Sequence, residues 1–438
     1  MCVYCQYYHD LSTVTARQLW YIIEMKLSEE LQARGFIHQH TGGSLAEVLD
    51  GPTRTIYHGI DPSADSAHAG NMVIWILLRH FTQAGHKVIF LVGGGTGMIG
   101  DPKPDAERVL QDVSITDGNV EKIKAQAQRL IGSASATITF VNNKDWLASM
   151  GLLQFLRDIG KHFTVNELLK KDAIATRVAS DTGISYTEFA YPLLQGYDYL
   201  VLNREYGCDV QVGGSDQWGN IVAGVELVRR KEQKIVHAIT APLITDKATG
   251  KKFGKSEGNA VWLDADKTSP YAFYQFWLNT SDTNVIDYLK LFTFLTLEDI
   301  TTLEQELQTN PGERKAAKAL ATAVTTFVHG SDVTHSVAKV TEILFGNGDI
   351  VSLSPAEKII ILNNAPVLEV TQSTSVIELL VASGLATSNR EARTFIESGA
   401  VVINDNKIEQ VDTMIDVAPG DLVPLKRGKK NFVILYKK

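Results

Sequence analysis

The hydrophobic and polar positions in the first quarter of the chain follow the order strand, loop, helix, strand. An apolar, strand-like run at 55–57 leads through a turn at 61–63 into a long apolar helical stretch, which begins at His68 and stops near Gly85. A second apolar strand at 88–92 follows at once. This pattern predicts a βαβ unit of a Rossmann-like α/β nucleotide-binding fold, with the tetrapeptide that starts at His68 at the helix N-terminus.

Periodicity further along predicts helices at 119–132, 144–160 and 184–202, followed by a strand at 209–212. Pro192 has no N–H to donate, so we expect it only near the start of the third helix. Beyond residue 270 the pattern predicts successive helices, and then a small unit of two helices and several strands.

A length of 438 residues is too great for one ordinary core, so several domains are expected. The predicted domains are a Rossmann-like domain at 25–270, a helical domain at 271–345, a linker at 346–370, and a small α+β domain at 371–438. Residues 1–24 lack the basic start and apolar centre of a secretory signal. We expect Met25 to be the natural start and residues 1–24 to be a non-native or disordered extension.

Composition is that of a globular protein, with 44% hydrophobic and 21% charged residues. No apolar run approaches the roughly 18 residues that span a bilayer, so we expect no membrane partner. The net charge of −8 argues against a protein that coats DNA but permits a local RNA-binding patch. Three cysteines cannot build a disulfide framework, so we expect a cytoplasmic protein, and the lone C-x-x-C at 2–5 predicts no structural metal site.

Two short motifs carry the candidate chemistry. The first is His-Ala-Gly-Asn at 68–71, at a helix N-terminus, where free N–H groups and the helix dipole favour a phosphate. The second is Lys-Phe-Gly-Lys-Ser at 252–256. Together they resemble the H-I-G-H and K-M-S-K-S signatures of class I aminoacyl-tRNA synthetases. Asn71 replaces the second histidine of the first signature, and Phe253 and Gly254 replace the Met and the first Ser of the second.

The surrounding residues resemble those of bacterial-type tyrosyl-tRNA synthetases, from about Met25 to the C-terminus. The last domain resembles the RNA-binding fold named after ribosomal protein S-four, through the segments at 388–393 and 399–404. The resemblance implies activation of L-tyrosine with ATP to tyrosyl-adenylate and pyrophosphate, followed by transfer of tyrosine to the 3′ end of tRNA(Tyr). It also implies a homodimer, and the apolar run at 152–156 is the kind of surface that pairs.

The resemblance implies that 25–270 is the catalytic domain, that 271–345 lies on the side of the tRNA anticodon, and that 371–438 binds RNA. It also implies four groups of site residues. The catalytic residues would be His68, Asn71, Lys252 and Lys255. The tyrosine-binding residues would be Tyr57, Asp101, Tyr191, Gln195, Asp198 and Gln217. ATP, accompanied by Mg²⁺, would be bound by Gly59, Asp61, Ser63, His68, Gly70, Asn71, Gly214, Asp216, Lys252, Lys255 and Ser256. RNA would be bound by Arg390, Arg393, Lys426, Arg427, Lys429 and Lys430, a basic set suited to phosphate contact.

Residue chemistry agrees with tyrosine as the substrate. A helix over 184–202 would put Tyr191, Gln195 and Asp198 on one face, because their spacing is i, i+4 and i+7. A phenol O–H both donates and accepts hydrogen bonds, so a carboxylate such as Asp198 and a hydroxyl such as Tyr57 can saturate it. These two residues and the C-terminal domain favour tyrosine over tryptophan, the substrate of a related class I enzyme.

Two alternatives come from other functional classes. The stretch at 95–100 matches the G-x-G-x-x-G pattern of dinucleotide-dependent oxidoreductases, but Pro102 and Pro104 follow where that pattern requires a helix. A non-catalytic RNA-binding protein that has kept a synthetase fold is the other alternative. The intact Lys252 and Lys255 argue against it.

Overall fold

The computed structural model describes residues 25–102, 112–132, 138–181, 183–247, 250, 253, 255–256, 259–345, 350–428 and 431–438. Only the backbone is described for Val113, Asp172, Lys255, Ser256 and Asn259. Residues 1–24, and the predicted site residues Lys252, Lys429 and Lys430, lie outside the described residues. The chain forms two compact units, one ending at Thr245 and the other running from Asp246 to Lys438.

The first unit is built on a six-stranded sheet in the order β1-β6-β5-β2-β3-β4. Its strands are β1 (Gln39–His40), β2 (Thr55–Ile60), β3 (Lys87–Val92), β4 (Ile138–Asn142), β5 (Val210–Gly214) and β6 (His237–Ala241). The edge strand β1 runs antiparallel to β6, and the other pairs are parallel. This is the predicted α/β class with a parallel sheet.

Ten helices of this unit are described: α1 (Leu27–Arg34), α2 (Leu45–Leu49), α3 (Met72–Gln83), α4 (Val113–Ile131), α5 (Lys144–Leu147), α6 (Leu152–Asp158), α7 (Val165–Leu168), α8 (Asp172–Val178), α9 (Tyr186–Tyr206) and α10 (Trp218–Glu232). Short 3₁₀ turns lie at Ala69–Asn71, Thr96–Met98, Gly160–His162 and Ser215–Gln217. Among the described residues, no helix is both long and apolar enough to cross a membrane.

Burial explains why the central strands have no alternating pattern. Five successive residues of β3, from Val88 to Val92, are buried, because helices cover both faces of a parallel sheet. The sheet reverses its strand order beside β2, which lies between β3 and β5. In open sheets of this kind, ligands bind in the crevice outside the carboxyl ends of the strands at that reversal. Asp61 follows β2 there, and the turn Ser215–Gln217 follows β5.

Helix boundaries differ from the predictions in three places. The helix predicted from His68 opens with a 3₁₀ turn, and α3 begins at Met72. The helix predicted at 119–132 begins earlier, at Val113, where Asp112 caps it by accepting from the Ser114 N–H. The single helix predicted at 144–160 is wrong. Gly151 takes an extended conformation (φ −67°, ψ 139°) and divides the segment into α5, α6 and a 3₁₀ turn.

Pro192 was expected only near a helix start, but it lies well inside α9. The side chain is buried between neighbouring elements, and tertiary packing holds the helix through the missing hydrogen bond. Close packing with α10 is possible because Gly196 and Gly224 face each other. A Cβ on Gly196 would lie only 3.0 Å from the ring of Phe163. This close packing therefore fixes the position of α9 beside α10.

The second unit contains helices and a small α+β domain. Its helices are α11 (Pro270–Leu278), α12 (Val285–Phe292), α13 (Leu297–Thr309), α14 (Lys315–His329), α15 (Ser331–Phe345), α16 (Pro355–Asn364), α17 (Val376–Ala382) and α18 (Asn389–Glu397). Its strands are β7 (Lys255–Ser256), β8 (Asn259–Ala260), β9 (Val367–Glu369), β10 (Thr374–Ser375), β11 (Val401–Ile403), β12 (Asn406–Lys407), β13 (Met414–Ile415), β14 (Leu422–Arg427) and β15 (Asn431–Tyr436). The main sheet has the order β12-β11-β14-β15-β9.

Two boundaries in this unit differ from the predicted domains. Strand β9 lies in the predicted linker, yet it pairs parallel to β15 and completes the C-terminal sheet. The unit also begins well before residue 270. Phe253 packs among the rings of Phe276, Trp277, Tyr288 and Phe292, with centroids 4.8–5.5 Å away. These aromatic contacts tie the Lys-Phe-Gly-Lys-Ser segment to the helices that follow it.

A buried ion pair joins α8 to the start of α9. Arg177 Nη2 lies 3.1 Å from Glu188 Oε2, and each side chain is only 2% exposed. The Arg177 Nε–H also donates to the Gly183 carbonyl (2.9 Å). A buried charge of this kind is tolerated only while its partner is present.

We predict that Arg177→Met destabilises the first unit by about 3–5 kcal/mol, because it leaves the Glu188 carboxylate buried and unpaired. Urea and thermal unfolding measure the change. Arg157→Met is the matched control, since Arg157 is 77% exposed in its pair with Asp158 and its loss should leave stability nearly unchanged. Equal stability of the two variants would contradict the assigned role of the buried pair.

Candidate active site

One end of the crevice is closed by the buried carboxylate of Asp198, on α9. The Trp146 indole N–H donates to Asp198 Oδ1 (2.7 Å), and the Asn143 amide donates to Asp198 Oδ2 (3.0 Å). Burial raises the pKa of Asp198 to about 7, against the opposing effect of these two hydrogen bonds. Asp198 is thus a carboxyl group that changes its charge near neutral pH.

Three buried polar atoms around this end have no hydrogen-bond partner within the described part of the chain. They are the hydroxyl of Tyr57, Gln195 Oε1 and Gln211 Oε1. Tyr57 and Gln211 are direct neighbours on β2 and β5, and each is at most 2% exposed. Burial and the nearby Asp198 raise the pKa of Tyr57 far above its usual value, so the hydroxyl keeps its proton. Buried polar atoms need partners, and a ligand with polar groups could supply them.

A chain of hydrogen bonds runs from Asp198 to the loop after β2. The Asn143 amide also donates to Thr96 Oγ1 (2.8 Å), and the Thr96 hydroxyl donates to Asp61 Oδ1 (2.8 Å). The Tyr191 hydroxyl donates to Asp61 Oδ2 (2.9 Å). Gly93 makes the close approach possible, because a Cβ there would lie only 2.2 Å from Asp61 Oδ1. Asp61, predicted at the ATP site, therefore lies beside Tyr191 of the tyrosine set.

The backbone amides of the glycine-rich turn after β3 donate hydrogen bonds to side chains of the same protein. The Gly95 N–H donates to Asn143 Oδ1 (2.8 Å), and the Gly94 N–H donates to Asn142 Oδ1 (3.2 Å). The turn continues as a 3₁₀ segment to Met98 and reaches Pro102 without an α-helix. A dinucleotide-binding turn needs free amides and a helix N-terminus for its pyrophosphate, so the structure argues against the oxidoreductase alternative.

A second carboxylate, Asp101, is bound by side chains that follow β5, at the sheet reversal. Gln217 Nε2 donates to Asp101 Oδ2 (2.8 Å), and Asn220 Nδ2 donates to Asp101 Oδ1 (3.1 Å). Behind them, Lys171 Nζ donates to the Gly219 carbonyl (2.7 Å) and to Asn220 Oδ1 (3.3 Å). Burial lowers the pKa of Lys171 to about 8, and Asp101 opposes that shift. Charges of Asp61 and Asp101 both act on Tyr191, so these groups share one pocket.

The predicted phosphate-binding turn has the geometry of a capped helix start. Asn71 Oδ1 accepts from the His68 N–H (3.0 Å), and His68 Nδ1 accepts from the Gly70 N–H (3.0 Å). Since Nδ1 accepts, the proton of the neutral His68 ring is on Nε2, which is a donor. His68 Nε2 and Asn71 Nδ2 are therefore the side-chain groups of this turn that can donate to a phosphate.

His58, on β2, is a neutral residue of the same crevice. Its Nδ1–H donates to the Val212 carbonyl (3.1 Å), and burial lowers its pKa to about 4. The neighbouring Gly59 is exposed, as are Ser63 and Asp216, whereas Gly214 is half-buried. These residues line the edge at which β2 and β5 end.

The first unit thus brings six predicted residues near one another, through hydrogen bonds and charge: Tyr57, Asp61, Asp101, Tyr191, Asp198 and Gln217. Gln195 lies on α9 between Tyr191 and Asp198. Of the second predicted motif, Lys252 lies outside the described residues, and Lys255 and Ser256 have only their backbone described, in β7. The sequence analysis missed several polar residues around the acids: Thr96, Asn143, Trp146, Lys171, Gln211 and Asn220. Asn143 comes directly after β4 and Trp146 three residues later, but the sequence analysis predicted no strand there, so the signal of polar residues after a parallel strand was not recognised.

Some basic residues of the C-terminal domain are exposed, and others contact neighbouring residues of the same domain. Arg390 and Arg393 are exposed on α18. Arg427, predicted to bind RNA, instead donates to the Leu385 carbonyl (2.7 Å) and lies 4.8 Å from the centre of the Phe395 ring. Lys426 lies 3.4 Å from Asp405 Oδ1 and is 19% exposed. Arg427 therefore makes contacts within the domain that the sequence alone does not show, and RNA binding by this residue stays a prediction.

Comparison with known proteins agrees with this architecture. The family model "tRNA synthetases class I (W and Y)" matches residues 51–346, and the model "Tyrosine--tRNA ligase SYY-like C-terminal domain" matches residues 358–435. The C-terminally truncated mitochondrial tyrosyl-tRNA synthetase of Aspergillus nidulans is 31% identical, with a TM-score of 0.67, and the similarity covers 75% of this chain and 97% of that one.

Curated relatives extend the similarity to almost the whole chain. The tyrosine–tRNA ligase of Streptococcus mutans serotype c is 47% identical over 422 residues, which is 94% of this chain and 100% of the relative. Tyrosine–tRNA ligase 2 of Enterococcus faecalis is 47% identical over 416 residues, covering 93% of this chain and 98% of the relative. The first family model includes both tryptophan and tyrosine enzymes, and these relatives and the C-terminal model decide for tyrosine. Because the similarity covers the catalytic and the C-terminal regions together, the chain belongs to the bacterial tyrosine–tRNA ligases of the class I synthetase family.

Proposed function

We propose that the crevice of the first unit binds tyrosine and ATP side by side for the first step of tyrosine–tRNA ligation. A carboxylate oxygen of tyrosine attacks the α-phosphorus of ATP, the bond to the bridging oxygen of the β-phosphate breaks, and pyrophosphate leaves. The tyrosyl group then passes to a ribose hydroxyl at the 3′ end of tRNA(Tyr). The observation that carries this proposal is that a buried Tyr57 hydroxyl, without a partner among the described residues, lies near the buried Asp198 carboxylate.

The substrate phenol fits between these two groups. Its O–H donates to Asp198, and its oxygen accepts from the Tyr57 hydroxyl, which keeps its proton. Asp198 retains its hydrogen bonds from Trp146 and Asn143 and is thereby oriented before the substrate arrives. Phenylalanine would leave the buried Tyr57 hydroxyl without an acceptor and would give Asp198 no further donor, so it is rejected.

The charged end of tyrosine lies toward the second carboxylate in this proposal. Its α-ammonium group binds Asp101, Tyr191 and Gln195, with the charge of Asp61 nearby. Gln195 Oε1 is one of the buried acceptors without a partner among the described residues, which suits an ammonium donor. Gln217, through its hydrogen bond to Asp101, completes this end.

ATP binds at the other side of the same crevice in this proposal. The His68 Nε2–H and the Asn71 amide donate to the phosphates, and Gly70 permits close approach. Gly59, Ser63, Gly214 and Asp216 border the nucleotide. Lys252, Lys255 and Ser256 act on the pyrophosphate leaving group. We propose that Mg²⁺ accompanies ATP and neutralises its phosphates.

Asp198→Ala tests the tyrosine pocket. It should lower kcat/KM for tyrosine by roughly 1.5–3 kcal/mol, the range for a hydrogen bond to a charged group. It should also narrow the ratio of tyrosine to phenylalanine activation, because phenylalanine never makes the lost contact. Pyrophosphate exchange with each amino acid measures both. An equal loss for both substrates, with a lower melting temperature, would assign Asp198 a purely structural role.

The pH dependence of tyrosine affinity is a second test of Asp198, and it uses the unaltered protein. Burial raises the pKa of Asp198 to about 7, so the ionised acceptor is lost as the pH falls through that value. Tyrosine binding should therefore weaken between about pH 8 and pH 6, whereas phenylalanine binding should change little. Neither the ammonium nor the carboxylate of the free amino acid titrates in this range.

We also propose a homodimer and a cytoplasmic location. Helices α6 to α9 expose several large apolar side chains, including Leu152 (71% exposed), Leu153 (82%) and Tyr186 (72%). A monomer rarely leaves such side chains exposed together, so a second copy of the chain is the proposed cover. The cytoplasm is where tRNA and the ribosomes that use its charged form meet.

Leu153→Glu should shift the protein from dimer to monomer mass, because it introduces a charge into the proposed interface. Light scattering at micromolar concentration measures the mass. Ile235→Glu is the matched control, since Ile235 is 83% exposed and lies between α10 and β6, apart from helices α6 to α9. A monomeric unaltered protein would refute the homodimer.

The C-terminal domain is the proposed contact surface for tRNA. Arg390 and Arg393 offer exposed cations on one helix, and Lys429 and Lys430 lie in the same basic stretch of sequence as Lys426. Such contacts to phosphates supply affinity that falls steeply with salt.

A chain that ends at Ala365 tests this surface. The cut removes β9 together with the strand it pairs with, and it keeps α16, whose Asn364 and Glu357 bond to Ser269 and Lys339. Charging of tRNA should be abolished, while tyrosine-dependent pyrophosphate exchange should remain largely intact. The double variant Arg390→Ala with Arg393→Ala should lose part of the tRNA-charging rate, and higher salt should lower that rate further. Unimpaired charging by the truncated chain would remove the RNA-binding assignment.

A further inference from the structure

Helix α4 holds the loop that leads to His68 through one stripe of polar side chains. Asn119, Lys122 and Gln126 are spaced three and four residues apart, so they lie along one side of the helix. Each of them bonds to the loop between β2 and the Ala69–Asn71 turn. The adjoining stripe of α4, with Ile123 and Ala127, is buried in the core. The loop is therefore attached to a helix whose own position is fixed.

The three attachments follow the loop in order. Asn119 Nδ2 donates to the Pro62 carbonyl (3.0 Å), and the Asn119 side chain is buried. Lys122 Nζ lies 2.9 Å from Asp65 Oδ2, but Lys122 is 61% exposed, so this ion pair contributes little. Gln126 makes the last attachment, next to His68.

Gln126 uses both ends of its amide. Its Oε1 accepts from the Ala67 N–H (2.9 Å), and its Nε2 donates to Ser66 Oγ (2.9 Å). The Ser66 hydroxyl in turn donates to the Ala67 carbonyl (2.8 Å). Ser66 and Ala67 are almost fully buried, at 3% and 2% exposure. One side chain thus fixes the position of both peptide groups of Ala67.

Ala67 immediately precedes His68, whose N–H and Nδ1 close the capped turn with Asn71 and Gly70. A rotation of the Ala67 peptide would move the His68 ring relative to the crevice. Positioning errors of about 1 Å at a reacting group can cost about a hundredfold in rate. The position of the Ala67 peptide therefore determines the direction in which His68 Nε2 points.

We propose that Gln126 is a positioning residue for tyrosyl-adenylate formation, which holds the backbone of Ala67 so that His68 meets the phosphates of ATP. The inference rests on the proposed ATP site at His68 and Asn71. Gln126 itself lies on a helix outside the crevice and bonds to the loop from behind. Its effect should be confined to the nucleotide end, because the contacts of Asp198 and Tyr57 lie on other elements.

The test compares Gln126→Met with Gln128→Met, an exposed glutamine on the same helix. Gln126→Met should lower tyrosine-dependent pyrophosphate exchange by about tenfold or more, and Gln128→Met should leave it unchanged. The Kd for tyrosine, measured by equilibrium dialysis, should stay within about twofold for both. Gln126→Asn, which keeps the amide but withdraws it from Ala67, should reproduce the split between exchange and tyrosine binding.

A double-mutant cycle with His68→Gln separates this inference from the proposed ATP site. If Gln126 acts through His68, the combined variant should lose less than the product of the two single losses. Losses that multiply, or a Kd for tyrosine that weakens as much as exchange, would overturn the positioning role. If Gln126→Met keeps the full rate of pyrophosphate exchange while His68→Gln is impaired, the inference about Gln126 is wrong and the proposed ATP site stands. Full exchange by His68→Gln would remove the proposed ATP site and the inference with it.

Discussion

The buried carboxylate of Asp198 is the group on which the polar lining of the pocket depends. An ionised carboxylate in such surroundings is costly unless donors meet its oxygens, and Trp146 and Asn143 provide them. Asn143 can donate in this direction only because its own oxygen accepts from the Gly95 N–H. One acid thus determines the orientation of an amide, and the amide in turn determines the position of Thr96 and the glycine-rich turn.

The sheet explains how distant residues arrive at this network. Asp61 follows β2, Thr96 follows β3, Asn143 follows β4, and Gln217 follows β5, so four parallel strands deliver their side chains to one edge. Helix α9 crosses that edge and adds Tyr191 and Asp198. Its close packing with α10 at Gly196 and Gly224, together with the buried pair of Arg177 and Glu188, fixes its position. Stability and specificity therefore rest on the same helix.

Much of this arrangement could be predicted from sequence. The family, the α/β class and the parallel sheet are confirmed, because uninterrupted apolar strands and two motifs of fixed chemistry are local signals. The break at Gly151 and the interior position of Pro192 could not be predicted, since tertiary packing overrides local propensity there.

Residues that act through other residues were also missed. Asn143 and Gln126 have no motif of their own, and only the fold reveals what they touch. Arg427 is a further residue whose contacts only the fold reveals, because it packs on Phe395 although it lies in a basic stretch of sequence. Charge patterns indicate where a cation stands in the chain, but they do not indicate whether it faces solvent.

The chain of hydrogen bonds from Asp198 through Asn143 and Thr96 to Asp61 and Tyr191 has a geometric consequence. In the proposed binding mode, it connects the phenol end of the pocket to the ammonium end through side chains that hydrogen-bond to one another, which favours a constant separation of the two ends. A shorter or longer amino acid with the same phenol and ammonium groups could satisfy one end but not both. The proposed pocket would therefore select the span between the two polar groups of its substrate as well as their chemistry.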